Sequence, residues 1–363
     1  MFLNSIKLNN FRNYALLEHT FGKRKTLFVG KNAQGKTNLL EAVYYLSALS
    51  SNRIKKDSEL IKFKEESCII QAQCTKNDTD VSLEVVINPP KNKVLKVNGL
   101  KKNKSQDFLR VLKVVNFSSA DLMLMRGDPS NRRKWLDLAI CQVYGAYYDK
   151  LQKYNKIRLQ KSNFLGQNYN DDGLLDAFNT QMSIAAANIV FLRIKFLSEL
   201  QKIASQKHKT VSEDEELTFY YESEVPKECN VKELSEFIYD KLCQVKNDEI
   251  RRAQCLFGPH RDDISFFING IDARKFASQG QQRTLVLALK LAELDIIKEK
   301  VAEVPILLLD DVLAELDNVR QNYLLKAIEN DTQTIITSVD TLAFDKEFLS
   351  DVEIVKISAG AIV

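Results

Sequence analysis

The chain has 363 residues, 45% of them hydrophobic and 28% charged, the proportions of a folded protein of one or two domains and not of an extended disordered chain. A net charge of +4 is too small to mark nucleic acid as a partner through bulk charge, so any DNA contact must come from a local patch. The six cysteines form no C-x-x-C pair and there are three histidines; this opposes a zinc site and points to reduced thiols in a cytoplasmic protein.

In chain order, Phe2 to Leu8 has strand character. Thr26 to Val29 is a short apolar run ending at Gly30, as expected of a buried strand. Leu39, Leu40, Val43, Leu46 and Leu49 then recur at helical spacing from Thr37 onward. Ile69 to Cys74 and Val81 to Ile87 read as strands, and Val94 to Val97 with the Asn98-Gly99 turn as part of a hairpin. After about residue 130 the pattern becomes helical: Arg132 to Lys161, Leu174 to Ser205 and Val231 to Val245, with polar breaks at 168–173 and 212–216. Strand character returns at Ile264 to Ile268. A helix from about Gln281 to Lys300, a strand at Ile306 to Leu309, a helix near Val319 to Glu329 and a strand at Gln333 to Thr337 complete the chain. No membrane-length apolar run and no basic leader are present. The outer thirds alternate strands and helices. The expected organisation is therefore an α/β domain from residues 1–128 and 255–363, with a mainly helical lobe, 129–254, inserted.

Three motifs carry chemistry. Gly30-Lys31-Asn32-Ala33-Gln34-Gly35-Lys36-Thr37 matches the phosphate-loop pattern G-x-x-x-x-G-K-[ST] in its strand–loop–helix context. Its glycines let backbone N–H groups wrap a phosphate, with the helix start behind them. Lys36 is placed for the β- and γ-phosphates of ATP, and Thr37 for Mg²⁺. Asp310 and Asp311 end an aliphatic strand, where ligands of a parallel sheet gather. Asp310 is expected to face Mg²⁺, and Asp311 to orient or deprotonate the attacking water. Ser278-Gln279-Gly280-Gln281 opens a helix. Taken alone it is a helix cap; with a phosphate loop elsewhere it is also an anion site able to face the nucleotide of a second copy. Ala314 to Asp317, and Ser338 with Asp340 after the last strong strand, are further polar positions near the carboxylates.

These residues resemble the RecF family of bacterial recombination mediators. The resemblance runs through Asn10 to Tyr14, Gly30 to Ala42, Phe117 to Leu122, Gly127 to Pro129 with Arg132-Arg133, Gly258-Pro259-His260-Arg261-Asp262-Asp263, Ser278 to Arg283 and Leu309 to Asp317. It implies an ABC/SMC-type P-loop ATPase head built from both chain ends, without a long coiled-coil arm. It implies ATP-dependent homodimerisation, slow ATP hydrolysis, binding to gapped DNA at single-strand/double-strand junctions, RecR as partner, and RecA loading as outcome. It puts Ser278 against the other subunit's γ-phosphate, and Asp311 where many such ATPases have glutamate. Two readings stand for Arg12: contact with nucleotide phosphate, or an exposed strand-end arginine. His260-Arg261 lines a nucleotide or DNA surface, or shapes the turn before Ile264. The candidate DNA contacts are Lys101, Lys102, Lys104, Arg132, Arg133, Arg251 and Arg252, although such clusters are commonly only solvated faces. The competing classes are a membrane-transporter ATPase, which the large helical stretch opposes, and an SMC-type structural ATPase, which the lack of heptads opposes.

Overall fold

The computed structural model describes residues 1–167, 171–328, 331–342 and 344–363; the end of the expected helix at Glu329 and part of the polar break at 168–173 lie outside them. The strands are β1 (Phe2–Phe11), β2 (Tyr14–Thr20), β3 (Lys25–Val29), β4 (Cys68–Lys76), β5 (Thr79–Ile87), β6 (Val94–Val97), β7 (Leu100–Lys101), β8 (Val114–Ser118), β9 (Leu217–Glu222), β10 (Asp263–Ile268), β11 (Ile271–Asp272), β12 (Ile306–Asp310), β13 (Thr334–Ser338), β14 (Val352–Ser358) and β15 (Ala361–Ile362). The helices are α1 (Lys36–Ala48), α2 (Ser105–Leu109), α3 (Met123–Arg126), α4 (Pro129–Val143), α5 (Tyr147–Gly166), α6 (Asp172–Val211), α7 (Val231–Gln244), α8 (Lys246–Arg252), α9 (Ala273–Phe276), α10 (Gln279–Val301), α11 (Asn318–Ala327) and α12 (Lys346–Ser350). Among the described residues no helix is long and apolar enough to cross a membrane.

The chain divides into two compact units. The first comprises 1–122, 210–212 and 283–363; the second comprises 123–209 and 213–282. The first holds two sheets. One has the order β2-β1-β4-β5-β6-β7 with antiparallel neighbours; the other has the order β15-β14-β3-β13-β12-β8. From β14 to β8 the second sheet is parallel. Its central strands read as continuous apolar runs because they are covered on both faces. Ile306, Leu307, Leu308 and Leu309 are all buried, as are Ile335 and Ile336. On α1, Leu39, Leu40, Val43 and Leu46 are buried, each contributing about 2 kcal/mol of transfer free energy. Register puts Asp310 beside Ser118 on one side and Thr337 on the other, and Ser338 beside Val29. The carboxyl ends of β3, β8, β12 and β13 thus form one edge.

The second unit is helical with a three-stranded antiparallel sheet, β11-β10-β9. Its interior is unusually polar. Arg193 lies on α6 at 2% exposure. It forks onto Asp137 and also donates to the Tyr221 hydroxyl at 3.0 Å and the Pro259 carbonyl at 2.6 Å. Tyr221 donates in turn to Asp262. Lys161 and Glu249, both with fully buried side chains, pair at 2.5 Å, and Lys161 also donates to Asn179. Such groups are tolerated inside only when paired and hydrogen-bonded.

The segment Gly258 to Asp263 is part of this interior. Gly258 adopts φ +129°, and a Cβ there would come within 2.7 Å of the Tyr154 hydroxyl. His260 Nε2 lies 3.1 Å from the Cys255 carbonyl and Nδ1 lies 2.5 Å from the Tyr154 hydroxyl. A carbonyl only accepts, so the geometry assigns the proton to Nε2 and makes Nδ1 the acceptor. Of the readings open for His260, the structure supports the one in which it shapes this segment; both ring nitrogens are spent there.

Burial pushes the His260 pKa down to about 4, below the ordinary ~6.5. The folded state therefore binds fewer protons than the unfolded one between these values, and stability falls as pH drops from about 6.5 toward 4. Urea unfolding followed through Trp135, the one tryptophan, should show that decline, and His260→Gln should flatten it.

Candidate functional site

The phosphate loop connects β3 to α1. Gly30 is required by close approach: a Cβ there would lie 2.3 Å from the Ile357 carbonyl oxygen. Gly35 caps α1 at φ +118°, and a Cβ would meet Asn13 Nδ2 and the Tyr14 hydroxyl at 2.7 Å. Tyr14 donates to the Gly35 carbonyl at 2.8 Å and Asn13 to the Gln34 carbonyl at 3.1 Å. From the other side, Ala359 N–H donates to Gln34 Oε1 at 2.6 Å and Gly360 N–H to the Gln34 carbonyl at 3.1 Å. The loop is thus clamped between the β1–β2 corner and the C-terminal hairpin. The α1 start has no side-chain cap and no acidic residue in its first turn, which leaves its N–H donors for an anion.

Lys36 is 3% exposed. Its ammonium donates to the Gly30 carbonyl at 2.6 Å and the Lys31 carbonyl at 3.2 Å. Thr37 donates from Oγ1 to Asp310 Oδ1 at 2.9 Å, and Thr337 donates to the same oxygen at 2.9 Å. Burial pushes the Asp310 carboxyl above its ordinary value, against the pull of these two hydroxyls, and the neighbouring Asp311 adds to the rise. Asp311 sits in the left-handed region at φ 53°. Its N–H donates to Thr337 Oγ1 at 2.9 Å, while its buried Oδ1 has no protein partner. One cleft is lined by Asn13, Ala33, Lys36, Thr37, Arg53 and Asp311. A second shares Thr37, Arg53 and Asp311, and adds Asn116, Ser118 and Asp310.

These donors fit Mg²⁺. A hydroxyl and a buried carboxylate supply hard oxygen ligands, and an orphaned carboxylate oxygen stands beside them. One carboxylate and one hydroxyl leave most of an octahedron to phosphate and water, the usual share for a nucleotide-bound Mg²⁺.

Arg12, also at positive φ, forks onto Glu41 at 2.8 and 2.9 Å and reaches the Glu59 carbonyl. It does not line either cleft. Arg53, which has no motif around it, does. It donates to Asn38 and Glu41 at 2.8 and 2.9 Å, and its charge pulls the Asp310 pKa downward.

Ser278 to Gln281 lie in the second unit. Ser278 Oγ accepts from Gln281 N–H at 3.2 Å, and Gln281 Oε1 accepts from Ser278 N–H at 2.8 Å. This is a reciprocal capping box at the start of α10. Ser278 and Gln279 are exposed and Gly280 half-buried.

The basic candidates separate. Lys101 and Lys104 are exposed and Lys102 half-buried. Arg251 and Arg252 are exposed, with Arg251 paired to Asp248 at 2.6 Å. Arg132 belongs to a different class. It is 4% exposed, forks onto Asp263 at 2.7 and 2.9 Å, and donates to the Leu124 and Gly127 carbonyls. It is an interior ion pair, with four of its five N–H donors engaged inside the protein. Arg133 is half-buried and donates to the Asp262 carbonyl at 2.8 Å.

The family model described as the RecF/RecN/SMC N terminal domain matches residues 2–359. The chain is 37% identical to the DNA replication and repair protein RecF of Shouchella clausii (strain KSM-K16), over 100% of this chain and 99% of that protein. It is 39% identical to the protein of the same name from Bacillus cereus (strain G9842), over 100% and 98%. Among solved structures, one of the recombination mediator protein RecF-ATP in the RecFOR pathway superposes with a TM-score of 0.91 at 34% identity, covering 100% of this chain and 97% of that one. An SMC head bound to the C-winged helix domain of ScpA superposes at 0.55 with 14% identity, covering 100% and 96%, a likeness of fold alone. The chain belongs to the RecF family of ABC/SMC-type ATPase heads.

Proposed function

We propose that this chain is a DNA replication and repair ATPase that binds ATP with Mg²⁺ and dimerises on binding it. In this reading it engages gapped DNA at single-strand/double-strand junctions, hydrolyses ATP slowly, and acts with RecR to promote RecA loading. The observation that carries the ATPase part is the cluster of Thr37, Thr337 and Asp310 beneath a phosphate loop whose ammonium, Lys36, rests on the loop's own carbonyls. Support for the DNA and repair part comes from the full-length relatives named as DNA replication and repair proteins.

Each group has a task that its position fits. Lys36 exchanges the Gly30 and Lys31 carbonyls for β- and γ-phosphate oxygens. Thr37 and Asp310 would hold Mg²⁺, which would neutralise charge on the phosphates. Asp311 Oδ1 accepts a hydrogen bond from the attacking water and takes its proton. Asp311 lines both clefts around Thr37. Ser278 and the N–H groups at the start of α10 meet the γ-phosphate held by a second copy, so that hydrolysis requires the dimer. Lys101, Lys102, Lys104, Arg133, Arg251 and Arg252 remain candidate phosphate contacts on DNA. Arg12 serves the site by holding Glu41.

Lys36→Ala should abolish ATP binding measured by calorimetry, and with it ATP-dependent DNA binding; an unchanged ATPase rate would refute the loop assignment. Asp311→Asn preserves shape, and asparagine is at ease in the left-handed region. It should bind ATP and Mg²⁺ as the parent does while turnover falls about a hundredfold or more, and the closed dimer should persist on DNA.

Ser278 separates a shared site from a self-contained one. Ser278→Ala removes the cap and should cost about 1 kcal/mol in urea unfolding. Ser278→Arg should still bind one ATP per chain, yet fail to dimerise in light scattering with a slowly hydrolysed ATP analogue. A folded Ser278→Arg protein that dimerises normally would overturn the shared site.

A further inference from the structure

The segment between α1 and β4 carries a feature that the nucleotide site does not use. Ile61 bridges Phe11, Arg12 N–H donates to the Leu60 carbonyl at 2.8 Å, and Lys62 N–H donates to the Asn10 carbonyl at 2.9 Å. This fixes the base of a tight turn closed by Glu65 N–H on the Lys62 carbonyl at 3.0 Å. Phe63 stands at its apex with 85% of its surface exposed. Lys64 follows at φ 72°, a conformation that a lysine adopts at a cost. The Lys64 ammonium lies 5.9 Å from the Phe63 ring centroid.

The stretch from Lys55 to Glu66 holds four lysines and four carboxylates, and they differ in what engages them. Lys55, Lys56 and Lys64 are exposed and Lys62 is half-buried; among the described residues none of the four is in an ion pair. Three of the four carboxylates in the stretch are engaged. Asp57 pairs with Lys93 at 3.0 Å. Glu59 accepts the backbone N–H groups of Lys55 and Lys56 at 3.1 and 2.9 Å, and Glu65 accepts from Asn10 at 3.0 Å. Glu66 stands exposed at the edge.

We propose that Phe63 stacks on an unpaired or terminal base of DNA while Lys55, Lys56, Lys62 and Lys64 hold the adjoining phosphates. This rests on the reading that the chain binds DNA, and adds where and how it recognises an interruption in a duplex. A solitary exposed ring among lysines is poorly suited to a protein partner, because protein interfaces gather aromatic residues and deplete lysine. It suits a nucleic acid, whose bases offer π-faces and whose backbone offers anions. Within a continuous duplex the base faces are covered, so the ring finds its partner at a gap or an end.

The test uses the full chain with a slowly hydrolysed ATP analogue and two probes: a fluorescein-labelled duplex with a single-stranded gap, and a covalently closed duplex circle. Phe63→Ala should weaken binding to gapped DNA about tenfold and leave binding to the closed circle unchanged. Phe63→Trp should retain affinity, and its fluorescence should be quenched by gapped DNA only; Trp135 is buried and serves as the constant background. Lys55→Gln with Lys64→Gln should lower the slope of log affinity against log salt by about two. Phe63→Ala binding gapped DNA as tightly as the parent would overturn this proposal and leave DNA binding standing. Loss of ATP-dependent dimerisation in Phe63→Ala would also overturn it, making the ring a contact between copies. Failure of the parent chain to bind either DNA would overturn both this and the reading on which it rests.

Discussion

One carboxylate oxygen organises the nucleotide end of the first unit. Asp310 Oδ1 accepts from Thr37 at the start of α1 and from Thr337 on the adjacent strand. The two donors come from opposite ends of the chain, and they meet because β12 and β13 are parallel with Asp310 in register with Thr337. A one-residue slip would turn Asp310 to the other face of the sheet. Ile306 to Leu309 on one strand and Ile335 and Ile336 on the next are continuously buried. The same burial raises the Asp310 pKa. Two hydroxyls offset only part of the cost of a desolvated negative charge, so the core that positions the carboxylate also creates the demand for a cation beside it.

A second buried carboxylate holds the neighbourhood together. The Glu41 side chain is 3% exposed and paired with both Arg12 and Arg53; Ser51 also donates to it, at 2.5 Å. An interior carboxylate with one partner removed is strongly destabilising, whereas Glu41 has a forked arginine in reserve when the second one moves. Arg12 also reaches the Glu59 carbonyl, so α1, the β1–β2 corner and the segment that ends in the Phe63 turn share one charge network.

Much of the fold could be read from the sequence where local pattern and tertiary role coincide. The phosphate loop needs its glycines locally, and β12 is apolar for as long as it is buried. Elements defined by distant partners were harder to see. β8 is a five-residue run, and short apolar runs do not declare helix or strand. β9 alternates Leu217, Phe219 and Tyr221 inward, but it sits among helical stretches and acquires its meaning from β10, more than 40 positions later. Arg132 looked like part of a basic face because its partner, Asp263, lies 131 residues away; charge counted along a sequence cannot see that pairing. Arg53 stands outside every motif, and the clefts it lines come into being only when α1 and β12 are brought together.

The phosphate-loop motif is complete within eight residues, yet those residues do not make the loop by themselves. β3, which feeds it, has β13 and β14 as its sheet neighbours, and both belong to the last thirty positions of the chain. The loop's Gln34 is held by Ala359 and Gly360, and Gly30 is packed so closely on Ile357 that no side chain fits between them. A fragment carrying the motif, α1 and the first antiparallel sheet would leave β3 with two unpaired edges and the loop with one wall. Unpaired strand edges are costly and prone to wrong pairing. The anion site is therefore a property of the closed chain: its chemistry is written near residue 30, and its shape is supplied from beyond residue 330.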